Sequence, residues 1–359
     1  MFTIINEQMS KWTFLSLLMF LPLCLSCAAP TPPADGGTKA NLNLTKPITP
    51  PQIVSSIQDL PVPPILGVNH LRTIGGSGQG AGQFLQPVGL DLDHRGMLYV
   101  ADSGNNRVQV VDSEGNFVSE YGVRGWRTGE FDNPTDVAIN FQRTELLYVA
   151  DTDNHRIQYC NLVDRIFYIM AGSRLGRDDE DHDMDAEIEF DLPGGVSVGR
   201  NGEVCVVDTG NHRFVLFNPD GIRMLMRGSF GGARQQFRDP TDLVADPHGN
   251  IYIVDSGNHR IKKYDFSGNL VHTWGTEGET PGQFREPRHI DIDRWGYLYV
   301  TDRGNQRIQV FTKEGATVMT FGDESLVEPV GIAIFKNDLV FVSDVAANDI
   351  KIFQIVYRQ

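Results

Sequence analysis

An aspartate, a tight turn, an asparagine and a basic residue recur along the chain, and this recurrence constrains the fold more than any other feature. The copies read ADSGNNRV (Asp102, Arg107), ADTDNHRI (Asp151, Arg156), VDTGNHRF (Asp208, Arg213), VDSGNHRI (Asp255, Arg260), TDRGNQRI (Asp302, Arg307) and a degraded SDVAANDI (Asp344). Their aspartates lie 49, 57, 47, 47 and 42 residues apart. A second signature, Phe-x-x-Pro, precedes each copy at Phe84–Pro87, Phe131–Pro134, Phe190–Pro193, Phe237–Pro240 and Phe284–Pro287, weakened to Leu326–Pro329 in the sixth. Self-similarity at such a period marks supersecondary units that cannot bury their apolar faces alone and must stack.

Each unit parses into short β-rich runs between Gly/Asp/Asn turns. After Phe-x-x-Pro comes a run such as Val88–Leu92, then a turn, then a run ending at the aspartate (MLYVAD, NIYIVD, YLYVTD). A third run (RVQVVD, RIKKYD, RIQVFT) and a Gly-containing turn lead to a fourth. Four strands per repeat of about 40–50 residues predict an all-β chain, a six-bladed β-propeller with four-stranded blades. The motifs resemble the NHL repeat family through Asn154-His155-Arg156, Asn211-His212-Arg213 and Asn258-His259-Arg260, over roughly residues 65–359.

The fourth strand ends in a hydrophobic residue and glycine in the first five units, as in Tyr121-Gly122 and Phe321-Gly322. The sixth unit stops after its third strand, and the missing copy stands at the other end as His70–Gly75. An N-terminal strand is therefore expected to close the last blade, because an unclosed ring leaves an unpaired edge.

Upstream, Trp12–Leu25 is an apolar run of about 14 residues, too short to span a bilayer as a helix and suited to a signal-peptide core. It ends in Leu-Cys-Leu-Ser-Cys, which resembles the lipobox of bacterial lipoproteins, with Cys24 where that pattern has Leu. The resemblance implies a lipoprotein-type signal over 1–26, lipidation at Cys27 and export to a cell envelope. Ordinary cleavage to a secreted or periplasmic soluble protein is the alternative. Residues 27–64, rich in Pro, Thr and Asn, read as a flexible tether, ahead of the propeller at 65–359. Cys160 and Cys205, the remaining cysteines of the four, form neither a disulfide framework nor a CxxC knuckle.

Asp and Arg in nearly every copy of the turn point to construction rather than chemistry, since Asp stabilises tight turns through nearby backbone N–H groups. His155, His212 and His259 mimic a zinc triad but sit on successive blades. Packed sheets lie about 10 Å apart, too far to share one ion. Two residues after each Pro the repeat varies: Gly89, Asp136, Gly195, Asp242, His289 and Gly331. These positions start the innermost strands, so Asp136, Asp242 and His289 are expected near the axis. There they either hold a divalent cation or bind water and backbone in a polar channel. Arg285, Arg288 and Arg303 add positive charge on the same face. The stretch RDDEDHDMDAE (177–187) echoes an EF-hand at Asp181, Asp183 and Asp185. Ala186 and Leu192 break that pattern, leaving a solvated acidic loop.

The formal charge of −15 opposes a nucleic-acid partner, including the RNA bound by some NHL propellers. The resemblance implies a monomeric binding or scaffolding module for a protein, peptide or glycan, membrane-attached through its lipid, with no catalytic residue and no required cofactor. The enzymatic alternative is a metal-dependent lyase or lactonase with its site at the central channel. Peptidyl-hydroxyglycine lyases share the fold and hold a channel zinc with three histidines. Only His289 occupies a channel-lining place here, and their DGYCNSR turn is replaced by DSGNNR and its relatives.

Overall fold

The computed structural model describes residues 62–140, 145–172, 188–322, 324–336 and 338–358. The apolar run at 12–25, Cys27, the proposed tether up to residue 61 and the acidic stretch 177–187 lie outside these residues.

Six antiparallel sheets of four strands form the described chain. The first blade comprises β2 (Pro87–Leu92), β3 (Leu98–Asp102), β4 (Arg107–Val111) and β5 (Phe117–Tyr121). The second holds β6 (Pro134–Asn140), β7 (Leu146–Asp151), β8 (Arg156–Asn161) and β9 (Ile166–Gly172). The third holds β10 (Pro193–Val198), β11 (Val204–Asp208), β12 (Arg213–Phe217) and β13 (Arg223–Gly228). The fourth holds β14 (Leu243–Ala245), β15 (Ile251–Asp255), β16 (Arg260–Tyr264) and β17 (Leu270–Trp274). The fifth holds β18 (Pro287–Ile292), β19 (Leu298–Asp302), β20 (Arg307–Phe311) and β21 (Thr317–Phe321). The sixth is β22 (Pro329–Phe335), β23 (Leu339–Asp344) and β24 (Asp349–Tyr357), completed by β1 (Ile65–Gly75) in the order β1-β24-β23-β22. The closing strand is longer than the six residues expected, extending back to Ile65 through two register shifts. Ile65 and Val68 account for the added length, because both pack against the cluster between blades five and six.

The inner strands contact one another in a closed ring, with β22 against β2. Six apolar clusters fill the spaces between neighbouring blades, so the core is divided into wedges rather than gathered at a centre. The aromatic of Phe-x-x-Pro belongs to these wedges. Phe84, Phe131, Phe237 and Phe284 are fully buried. Each packs over the glycine that ends the preceding fourth strand; a Cβ on Gly122 would lie 2.2 Å from Phe131. This explains the hydrophobic-Gly ending: the pair is a socket for the next blade's ring.

The repeated turn is a hydrogen-bond hub. In blade two, Asp151 is buried and accepts bonds from the Asp132 N–H (2.8 Å), Asn154 Nδ2 (2.9 Å), Arg156 Nε (2.7 Å) and Gln158 Nε2 (2.9 Å). Arg156 in turn donates to the carbonyls of Arg127 and Glu130 in the connection from blade one. The residue after the asparagine is left-handed, at φ 54° for His155 and 55° for Asn106. Its side chain reaches the next Phe-x-x-Pro loop: the N–H groups of Leu192, Asp239 and Glu286 donate to Nδ1 of His155, His212 and His259 at 3.2, 3.2 and 3.4 Å. The three histidines fasten successive blades, and among the described residues they join no metal-ligating group.

Two hubs carry a lysine where others carry glutamine: Lys351 pairs with Asp344 at 3.1 Å in blade six, and Lys262 stands in blade four. Gln109, Gln158 and Gln309 donate to a loop carbonyl and to the turn aspartate. Blade four has Lys262 instead, fully buried, donating to the Gln236 carbonyl with Asp255 at 3.6 Å. Burial outweighs that carboxylate and pulls the lysine from 10.5 to about 8. The unfolded chain therefore holds this proton more tightly, and the contribution to stability rises between about pH 8 and 10.5. Lys262→Gln is expected to gain about 1–2 kcal/mol at pH 7 and to lose the alkaline rise. Urea melts at pH 7 and 9.5 check both signs.

Candidate binding face and axial channel

The ring of inner strands places six side chains or hydrogens at one level of the channel: Gly89, Asp136, Gly195, Asp242, His289 and Gly331. Asp136, Asp242 and His289 are all at least nine-tenths buried, and one ligand atom from each lies within 4.8 Å of the others. His289 Nδ1 is 3.5 Å from Asp242 Oδ2. The glycines alternate with the acids for a steric reason. A Cβ on Gly89 would meet Asp136 Oδ1 at 2.2 Å, and one on Gly331 would meet the Val88 carbonyl oxygen at 1.9 Å.

A second level lies two residues further along the same strands. Asp91 and Asp291 line the same cavity of about 250 Å3. All four aspartates clip one inner strand to the next. The N–H of Ile139 donates to Asp91 (2.7 Å), of Val196 to Asp136 (2.8 Å), of Ile290 to Asp242 (2.9 Å) and of Ile334 to Asp291 (2.7 Å). Burial raises Asp91 to about 6 and Asp242 to about 7, and holds Asp136 and Asp291 well above the ordinary carboxylate range. Burial also lowers His289 to about 3, with Arg288 reinforcing the shift, so the imidazole is neutral at pH 7. Aspartates raised in this way bind protons more tightly folded than unfolded, so their contribution to stability falls as pH rises from about 4 to 7.

The three arginines do not form a free basic patch. Arg303 pairs with Glu286 at 2.7 Å and with Glu328, and Arg285 with Glu279 at 2.7 Å. Arg288 has Glu286 at 3.7 Å. Acids from the adjoining connections thus neutralise the charge expected from the arginines alone.

The same face carries a feature absent from the sequence reading. Val123, Trp126, Leu192, Phe230 and Val327 are 40–63% exposed. All stand on connections from a fourth strand to the next first strand, beside the SGNxR turns. Arg127 lies 5.4 Å over Trp126 and Arg238 5.7 Å over Phe230.

This architecture is a six-bladed β-propeller, and three of its repeats match the NHL repeat model, over residues 84–111, 190–217 and 237–264 in blades one, three and four. Similar curated proteins are Protein lin-41 of Caenorhabditis elegans, 46% identical over 50 residues, and Protein brain tumor of Drosophila melanogaster, 25% identical over 140. The matches cover 14% and 39% of this chain but only 4% and 12% of those relatives. Among solved structures, virginiamycin B lyase from Staphylococcus aureus aligns with a TM-score of 0.55 at 12% identity, covering 81% of this chain and 100% of that one. The PQQ-bound aldose sugar dehydrogenase of Streptomyces coelicolor aligns with a TM-score of 0.55 at 13% identity, covering 82% and 100%. At these identities the structural likeness is one of fold.

Proposed function

We propose that this propeller is a binding module that docks a protein or peptide on its SGNxR face, and that the chain is displayed at a cell envelope. The observation that carries the reading is the gathering of Val123, Trp126, Leu192, Phe230 and Val327 on the connections of one face. Isolated exposed apolar residues need no explanation, but several on one rim, two of them capped by arginine, have the composition of an interaction surface. The conspicuous Asp, Asn, His and Arg of the repeats are spent on internal bonds and leave recognition to these variable loops. The apolar run 12–25, Cys27 and the Pro-rich segment after it support display on a lipid anchor.

Photo-crosslinking residues placed at Trp126 and Phe230 are expected to give discrete adducts in cells. The same residue at Val163 or Ile222, on the opposite turns, should give none. Adducts of equal yield from both faces would overturn the assignment.

A second reading, an enzyme of lyase or lactonase type, is favoured only by the convergence of Asp136, Asp242 and His289. It requires turnover that disappears in a folded His289→Ala variant.

A further inference from the structure

We propose that Asp136, Asp242 and His289 form a divalent metal site in the axial channel, suited to a transition ion such as Zn2+ or Mn2+. The inference stands apart from the binding reading, since it concerns the inside of the ring and not its rim. Three observations carry it. The ligand atoms lie within 4.8 Å of one another, the span available to groups around an ion with bonds of about 2.0–2.4 Å. They come from three separate blades, two, four and five, and meet only because the ring closes. The imidazole is 95% buried yet finds its nearest carboxylate oxygen at 3.5 Å, long for a hydrogen bond.

Asp91, Asp136, Asp242 and Asp291 line one cavity of about 250 Å3, and among the described residues no lysine or arginine lines it. Buried carboxylates normally pair with a cation or coordinate a metal. The backbone clips to Val196 and Ile290 engage one oxygen of Asp136 and of Asp242. They fix the orientation of each carboxylate as outer bonds do at metal centres. One imidazole with two carboxylates favours Zn2+ or Mn2+ over Ca2+ or Mg2+, which take oxygen donors throughout. Three protein ligands also leave positions open to water or a ligand oxygen.

The test uses the full chain, stripped with a chelator and titrated separately with Zn2+, Mn2+ and Ca2+. Bound metal is measured by mass spectrometry and unfolding by thermal melts. About one equivalent of Zn2+ or Mn2+ is expected per chain, at least about tenfold tighter than Ca2+, with a melting temperature that climbs with metal. Asp242→Asn and His289→Gln should each weaken binding about tenfold or more. Asp242→Asn retains an acceptor for the Ile290 N–H, so its metal-free melting temperature should stay near that of the parent. Asp91→Asn, one level away, should leave the stoichiometry unchanged. If a ligand variant fails to fold, broadening of the His289 ring resonances by Mn2+ in the parent protein reads the same site. A channel that binds none of these ions saturably, or binding undiminished in both ligand variants, overturns the proposal.

Discussion

Excision of residues 65–75 is expected to abolish cooperative unfolding of the whole propeller. β1 pairs with β24 from Ile65↔Tyr357 to Gly75↔Asp349, and Ile74 enters the wedge between blades six and one. Removing it strips hydrogen bonds worth about 1 kcal/mol each and uncovers apolar side chains worth about 1.5–3 kcal/mol each. The sum reaches the order of the total stability of a typical domain, about 5–15 kcal/mol. Circular dichroism in urea should show a broad, early loss of structure in the truncated protein. A synthetic peptide spanning 62–76, added in excess, should restore part of the sharp transition. An unchanged midpoint in the truncated chain would mean that the ring holds without its closing strand.

Asp151→Ala is expected to cost about 3–5 kcal/mol, because it leaves Arg156 buried and charged without its carboxylate. Arg156 is 2% exposed, and its Nε–Asp151 contact is 2.7 Å. Backbone and amide donors from Asp132, Asn154 and Gln158 lose their acceptor at the same time. The melting temperature should fall by roughly ten degrees. Adding Arg156→Met should recover part of the loss, since an apolar replacement removes the stranded charge. If the double variant is no better than Asp151→Ala, the damage comes from the other donors instead.

The fold was legible because the repeat is legible: one turn and one Phe-x-x-Pro per blade give blade number, strand order and even the borrowed strand. The channel was legible in part. Asp136, Asp242 and His289 stand out because they vary at a fixed offset from Pro, and the geometry brings them together. Asp91 and Asp291 obey the same period of two along a strand and were readable from GLDLD and HIDID, four residues after each Pro. The charge around Arg285, Arg288 and Arg303 was not legible. Glu279 and Glu286 share the connection before β18 with Arg285, Glu328 comes from the connection before β22, and only the folded path of these loops sets the three acids against the arginines. The exposed rim was hidden for a similar reason. Phe131 and Trp126 stand five residues apart in one loop, yet the socket over Gly122 takes the first and leaves the second in solvent.

The borrowed strand also sets a clock. β1 is synthesised before every other described strand of the propeller, and its partner β24 after all of them. At about 5–20 residues per second, the roughly 270 residues between them take roughly 14–55 s to make. For that time β1 is an apolar strand with no neighbour, and the nascent blades form an open arc with a sticky end. That end stays uncovered until the nine residues of β24 turn the arc into a ring.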